Sequence, residues 1–359
     1  MAKRTKNTNT TMNKAKAAKN DEFYTRYDDI EREVNNYTLD SDINHFEGKI
    51  VYCNCDDPTW SNFFWFFANK FEILGIKALI CTHYKEGVDL FNEGQNSYVI
   101  RVNSGADSEK IRFYAAQSDF QLTDKIKGLA FLNNLRREGF VKELQEDGDF
   151  RSPECIEFLR ESDIVCTNPP FSLFREYIAT VTGHNKSFLV IGNGNAITYK
   201  EIFPLLKEDK MWMGYFPFGS SFWFELPQDT EKFEKILNGK KVYHMPACWF
   251  TNLPNRKRNE ELTLGKRYNP AYYPKYDNYD AIEVGNIVDI PVDYDGVMGV
   301  PISFLAKYNP EQFEILGSNR GIDQDPNGVF GRGSMLNGKE TFKRLFISRK
   351  SAKITAYDV

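Results

Sequence analysis

The stretch DIVCTNPPF, residues 163–171, carries a short apolar run into an amide, two prolines and an aromatic ring. Ile164, Val165 and Cys166 read as a buried strand. The prolines end it, because neither has an N–H to continue a ladder and each fixes its own φ. A residue before proline is held out of the helical region, so Asn168 sits on a stiff loop. In an open parallel sheet, ligands bind beyond the carboxyl ends of the strands, which is where TNPPF falls. There the Asn168 side-chain oxygen and the Pro169 carbonyl could accept both hydrogens of an exocyclic amine, with Phe171 stacked on the ring that bears it. An ordinary strand-to-helix turn, in which Asn and Pro are both common, is the plainer reading of the same residues.

Upstream, KIVYCNC (49–55) reads as a buried strand. DDPTWSNFFWFFANKFEILG follows as a helix, with Asp57 at the N-cap, Pro58 at the first helical position and Gly75 beyond the end. A second strand, KALICTH (77–83), completes a βαβ unit. Before it, Ile30, Val34 and Tyr37 recur at helical spacing. SYVIRV (97–102) and KIRFYAA (110–116) both look like strands of an insertion. The alternation resumes with a helix in SPECIEFLRES, capped by Ser152 and begun by Pro153, which leads into DIVCT. Then come a helix over 172–182, the strand KSFLVIG, a helix near 199–208, and strands around KMWMGY, SFWFEL and KVYHMPACWF. This order predicts a Rossmann-like α/β fold, a mainly parallel seven-stranded sheet with helices on both faces. From about residue 255 the pattern loosens into stretches rich in Tyr, Pro, Asn and Asp, and a second region begins.

A chain of 359 residues accommodates one large α/β domain with an appendage, or two ordinary domains. With 41% hydrophobic and 27% charged residues and no apolar run near about 18, it reads as a soluble protein without a membrane span. The N-terminus lacks a secretory signal, so a cytoplasmic location is expected. Six cysteines without a CxxC pair, and only four scattered histidines, are poor material for a zinc site, so free, mostly buried thiols and no metal are expected. The net charge of −4 hides two basic clusters. Residues 1–20, expected to be disordered, hold Lys3, Arg4, Lys6, Lys14, Lys16 and Lys19 with no acid. Near the C-terminus, Lys339, Lys343, Arg344, Arg349, Lys350 and Lys353 face the single acid Glu340. Each cluster is either a solvated tail or a phosphate-binding surface.

TNPPF resembles the catalytic motif of amino-group methyltransferases that use S-adenosylmethionine (SAM). DEFYT (21–25) resembles the N-terminal cofactor-contacting motif of DNA adenine methylases, and GDFRS (148–152) resembles their acidic motif. YCNCDDP (52–58), SNFFWFFANKF, ITYKEIFP (197–204), ACWFTNLP (247–254) and YDGVMGVPISFLAKYNPEQFEILG (294–317) together are similar to the EcoRI-type adenine-specific methyltransferase family. The likeness spans residues 20–317.

That resemblance implies methyl transfer from SAM to the N6 amine of a flipped-out adenine in duplex DNA, with Asn168, Pro169, Pro170 and Phe171 as the catalytic loop. It implies that Phe23 and Tyr24 flank the cofactor, that Thr25 bonds its carboxylate, and that Asp149, beside Phe150, accepts from its adenine amine. Asn54, Asp56 and Asp57 stand where the first strand meets its helix, in a loop that departs from the usual glycine-rich form. Asp56 and Asp57 are candidates for the methionine amine or the ribose, with a plain helix cap as the other reading of Asp57. Phosphate contacts are expected from Lys14, Lys16, Arg256, Lys257, Arg258, Lys343 and Arg344. The implied organisation is a basic arm (1–20), a cofactor-binding and catalytic domain (21–254) and a target-recognition region (255–359). A monomer is expected, with a restriction endonuclease as a functional counterpart and not a bound partner. An RNA-base or protein-glutamine methyltransferase shares the catalytic string but does not predict DEFYT or the long C-terminal likeness. A catalytically silent nucleic-acid-binding relative does not predict an intact NPPF.

Overall fold

Strand residues that look uniformly apolar turn out to face two different cores. In the computed structural model, which describes residues 24–38, 43–57, 61–84, 97–117, 125–216, 222–226, 230–320, 331 and 333–350, the strands run as follows. They are Tyr24–Thr25 (β1), Ile50–Cys53 (β2), Ala78–His83 (β3), Tyr98–Asn103 (β4), Val141–Glu143 (β5), Ile164–Thr167 (β6), Ser187–Asn193 (β7), Trp212–Met213 (β8) and Phe222–Glu225 (β9). There follow Lys235–Leu237 (β10), Lys240–Met245 (β11), Ala247–Thr251 (β12), Ile282–Glu283 (β13), Met298–Pro301 (β14), Phe313–Ser318 (β15), Met335–Leu336 (β16), Lys339–Glu340 (β17) and Arg344–Arg349 (β18).

The main sheet has eight strands in the order β5-β4-β3-β2-β6-β7-β12-β8. Its centre, β3-β2-β6-β7, is parallel. Both flanks are antiparallel, β4 and β5 on one side and β12 and β8 on the other. The expected seven-stranded, mainly parallel sheet is therefore corrected to an eight-stranded mixed one. Parallel pairing needs a crossover, and β12 instead turns back beside β7 after β9–β11 have left the sheet.

Side chains alternate across this sheet with period two. Ile50, Tyr52, Ala78, Ile80, Val165, Phe188 and Val190 join one apolar cluster, which also takes in Phe174, Tyr177, Met298, Val300, Phe313, Ile315 and Ile347. Val51, Cys53, Leu79, Cys81, Ile164, Cys166, Leu189 and Ile191 join the other, with most of the helix Asn62–Leu74. Burial on both faces is why these strands read as continuous apolar runs. The same reason explains a helix that is aromatic nearly all round: Phe63, Phe64, Trp65, Phe66, Phe67 and Phe71 are all buried.

Three local readings change. KIRFYAA belongs to the helix Ala106–Gln117: Ile111 is fully buried, whereas Phe113, two residues on, is 60% exposed, so the apparent alternation has no apolar face behind it. The helix after β2 begins at Asn62 with Ser61 as N-cap, whose hydroxyl accepts from the Phe63 N–H at 3.1 Å, and Asp57 is not its cap. KVYHMPACWF divides at Pro246 into β11 and β12, which lie in different sheets. The other expected helices appear over Tyr27–Asn35, Pro153–Glu161, Phe174–Gly183 and Phe203–Lys207.

Among the described residues, two smaller four-stranded sheets and the two-stranded pair β16-β17 accompany the main sheet. β1-β9-β11-β10 is antiparallel, with Thr25 opposite Phe224. β13-β14-β18-β15 belongs to residues after 255 and contributes Met298, Val300, Phe313 and Ile347 to the first cluster. All six cysteines are free thiols, five of them buried. No described helix is long and apolar enough to cross a membrane.

Candidate active site

The strand order reverses between β2 and β6, since the chain builds outward from β2 first to β3 and later to β6 and β7. Ligands of open α/β sheets bind beyond the carboxyl ends at such a switch point. Residues 54–57 leave β2 there, and residues 168–171 leave β6 alongside.

Asp56 ties the two loops together. It is 7% exposed. Its carboxylate accepts from the Ser61 hydroxyl at 2.6 Å, from the Thr167 hydroxyl and from the Asn168 main-chain N–H. The Thr167 oxygen in turn accepts from the Cys55 N–H at 3.2 Å. Burial pushes the Asp56 carboxyl up to about 7, against the lowering effect of those hydrogen bonds. Asn168 is half-buried, with its side-chain oxygen fully buried. Pro169 is buried and Pro170 exposed. Phe171 meets Phe224 edge-on, ring centroids 6.1 Å apart. Because Phe224 pairs with Thr25, the small sheet brings β1 to the Asn168–Phe171 string.

Asp57 does something the sequence did not suggest. It accepts from the Tyr98 hydroxyl at 3.1 Å and lies 3.3 Å from His83 Nδ1. Strand β3 has no acid at its end, and Asp57 reaches across from β2 to supply one. Asn54 is buried, its side-chain oxygen accepting from Tyr177 at 2.6 Å. Phe150 packs on the same phenol ring at 5.1 Å. Both contacts are made to Tyr177, on the helix Phe174–Gly183 that follows the Asn168–Phe171 string.

Asp149 is half-buried and gripped by Arg151, through Nε and the main-chain N–H at one oxygen and a terminal nitrogen at the other, each at 2.8 Å. The guanidinium hydrogen bonds hold its carboxyl below the usual range, so it remains an acceptor. Gly148 makes this loop possible. Its φ is +79°, and a Cβ there would lie 2.2 Å from the His83 carbonyl oxygen.

Thr25 offers a test of whether a small polar ligand fits. It is buried, its carbonyl accepts from Asn62 at 2.7 Å, and its hydroxyl has no hydrogen-bond partner among the described residues. A buried hydroxyl of that kind is costly without a partner. A cofactor carboxylate would supply one. Tyr24 is half-buried beside it in β1. Phe23, Lys14 and Lys16 lie outside the described residues.

A sequence profile described as "Adenine-specific methyltransferase EcoRI" matches residues 11–354. The chain belongs to this family. It is 42% identical over 350 residues to the Type II methyltransferase M.EcoRI of Escherichia coli, covering 96% of this chain and 97% of that protein. It is 37% identical over 313 residues to the Type II methyltransferase M.MpnI of Mycoplasma pneumoniae, covering 85% and 84% respectively. No solved structure matches it.

The expected phosphate contacts of this methyltransferase-family chain divide on inspection. Arg256 is exposed. Lys257 donates to the Tyr215 carbonyl at 2.9 Å, and burial pushes its pKa down. Arg258 pairs with Asp209 at 2.6 Å and lies 4.1 Å over the Trp212 ring. Arg344 is locked to Glu283 at 2.7 Å, the side chains only 15% and 11% exposed. Lys343, its neighbour, points elsewhere: it donates at 2.7 Å to Asn195, just past the carboxyl end of β7. Sequence reasoning missed Ser61, Thr167, His83, Tyr98, Arg151 and Tyr177. Thr167, Arg151 and Ser61 lay inside quoted motifs, but nothing local marked His83, Tyr98 or Tyr177 for the site.

Proposed function

We propose that the chain transfers a methyl group from SAM to the N6 amine of an adenine turned out of duplex DNA. The observation that carries this reading is the hydrogen-bonded junction of the 54–57 and 167–168 loops at the sheet's switch point, supported by membership of the adenine-specific family. SAM, when bound, supplies an electrophilic methyl on sulfur. Thr25 would hold its carboxylate, Asp57 its ribose at the end of β3, and Asp149 its adenine amine. Asn168 Oδ1 and the Pro169 carbonyl would accept the two hydrogens of the target amine and stabilise the positive charge that grows on its nitrogen. Phe171 would stack on the flipped base. Holding amine and donor in line accounts for much of the remaining acceleration.

Incubating the protein with methyl-labelled SAM and duplex DNA, transfer RNA and protein extract tests the reading. Label is expected as N6-methyladenine in a nucleoside digest of the DNA. Label in RNA or on glutamine would replace it with the alternative substrate class.

Residues 255–359 would supply target recognition, with Arg256 and Lys343 on phosphates. Lys343→Ala should lower the slope of log affinity against log salt by about 0.9, the loss of one phosphate contact. Arg344→Ala should leave that slope unchanged and lower the melting temperature, because it strands Glu283 as an uncompensated buried charge. An equal slope change in both variants would remove the distinction drawn between these neighbours.

A further inference from the structure

The catalytic string has very little main-chain hydrogen bonding with which to hold itself in place. Pro169 and Pro170 have no N–H, so between Thr167 and Phe171 the only main-chain donor is that of Asn168. It is given to Asp56. The preceding side chain, Thr167, donates its hydroxyl to the same carboxylate. The third donor, Ser61, fixes that carboxylate to the first turn of the Asn62–Leu74 helix. Three donors thus meet on one buried side chain, shared between its two oxygens.

We propose that Asp56 is a positioning residue, which sets the place of Asn168 relative to the methyl donor by anchoring the catalytic loop to the first strand-helix junction. This rests on the functional reading above and changes one part of it: Asp56 acts on the loop, not on the cofactor. Its surroundings agree. The groups facing it are Asp57, the Cys53, Cys55, Cys81 and Cys166 thiols and the Tyr177 phenol. Burial pushes the thiols and the phenol upward, so they stay neutral near neutral pH. The Cys81 thiol donates to the Asp56 carbonyl at 3.0 Å, which braces the main chain. A buried carboxylate that costs stability is retained here between two functional loops, separated by 111 residues from the threonine it binds.

The test is a double-mutant cycle on the full chain. Asp56→Asn keeps the size of the side chain and offers one oxygen where there were two; Thr167→Val removes the hydroxyl at the other end. Single-turnover methyl transfer at saturating SAM should fall on the order of 10²-fold in Asp56→Asn, the scale of a small misplacement of a reacting group. SAM affinity by calorimetry should not change. The double variant should be no slower than the slower single one, and Thr167→Ser should restore most of the rate. Weakened SAM binding with an unchanged saturated rate would make Asp56 a cofactor ligand and overturn the proposal. Multiplicative losses would overturn it too. If Asp56→Asn fails to give the wild-type circular dichroism spectrum, the comparison of Thr167→Val with Thr167→Ser decides alone, and equal rates in those two would sink the idea. Asn168→Ala is assayed in parallel: if it keeps full activity, the underlying reading of the loop fails, whatever Asp56 does.

Discussion

Asn168→Ala should reduce single-turnover methyl transfer by about 10²- to 10³-fold, the range seen when one preorganised charge-stabilising group is removed from an active site. The nucleophile explains the size. An exocyclic amine on an aromatic ring shares its lone pair with the ring, so it attacks poorly unless its hydrogens are held and its developing positive charge is met by oxygen acceptors. Asn168 would supply one of two such oxygens, and alanine supplies none. The Pro169 carbonyl remains, which is why some activity should survive. Asn168 takes part in no proposed cofactor contact, and its main-chain bond to Asp56 is unaffected by truncating the side chain. SAM binding by calorimetry should therefore match the wild type. Loss of SAM affinity together with rate would move the acceptor role to another residue.

The second large effect is on stability, and its sign follows from burial. Desolvation raises the Asp56 carboxyl from 3.8 to about 7 in the folded chain. Between those values the unfolded chain has released the proton and the folded chain still holds it, so stability falls as pH rises through the interval. Three pH units at about 1.4 kcal/mol each give a loss on the order of 4 kcal/mol. Below 3.8 both states are protonated and the full contribution is present; above about 7 it is gone. Denaturant unfolding of wild type and Asp56→Asn across this range should show their stability difference shifting against the wild type as pH increases. Parallel curves would mean that the carboxylate is not desolvated as the fold implies.

What could be read from the chain, and what could not, follows from the range of the interactions involved. The strands around KIVYCNC, KALICTH and DIVCT were legible because each is buried on both faces, and apolar residues on both faces leave a continuous run. The abrupt end at Asn168 was legible because proline acts on its own backbone and its neighbour's. Ser152 and Pro153 announced a helix start for the same local reason, and the helix begins there, with Ser152 accepting from the Cys155 N–H. KIRFYAA deceived because propensity and alternation describe one segment, whereas the burial of Ile111 and the exposure of Phe113 depend on what packs against it. Asp57 looked like a cap until Ser61 took that position and Tyr98 and His83, from β4 and β3, took up its carboxylate.

Charge was the least legible property. Lys343 and Arg344 are equally basic on paper, yet Arg344 is held by Glu283, 61 residues away, while adjacent Lys343 extends to Asn195, 148 residues away. Local chemistry, such as missing N–H groups, fixed φ angles and caps, acts over a few bonds and is written directly in the order of residues. The partner of a buried carboxylate or guanidinium is whichever group the sheet order brings near, and strands β2 and β6 are neighbours only because the chain returns to the switch point after more than a hundred residues. That return, and not any motif, joins Asp56 to Thr167 and Asn168.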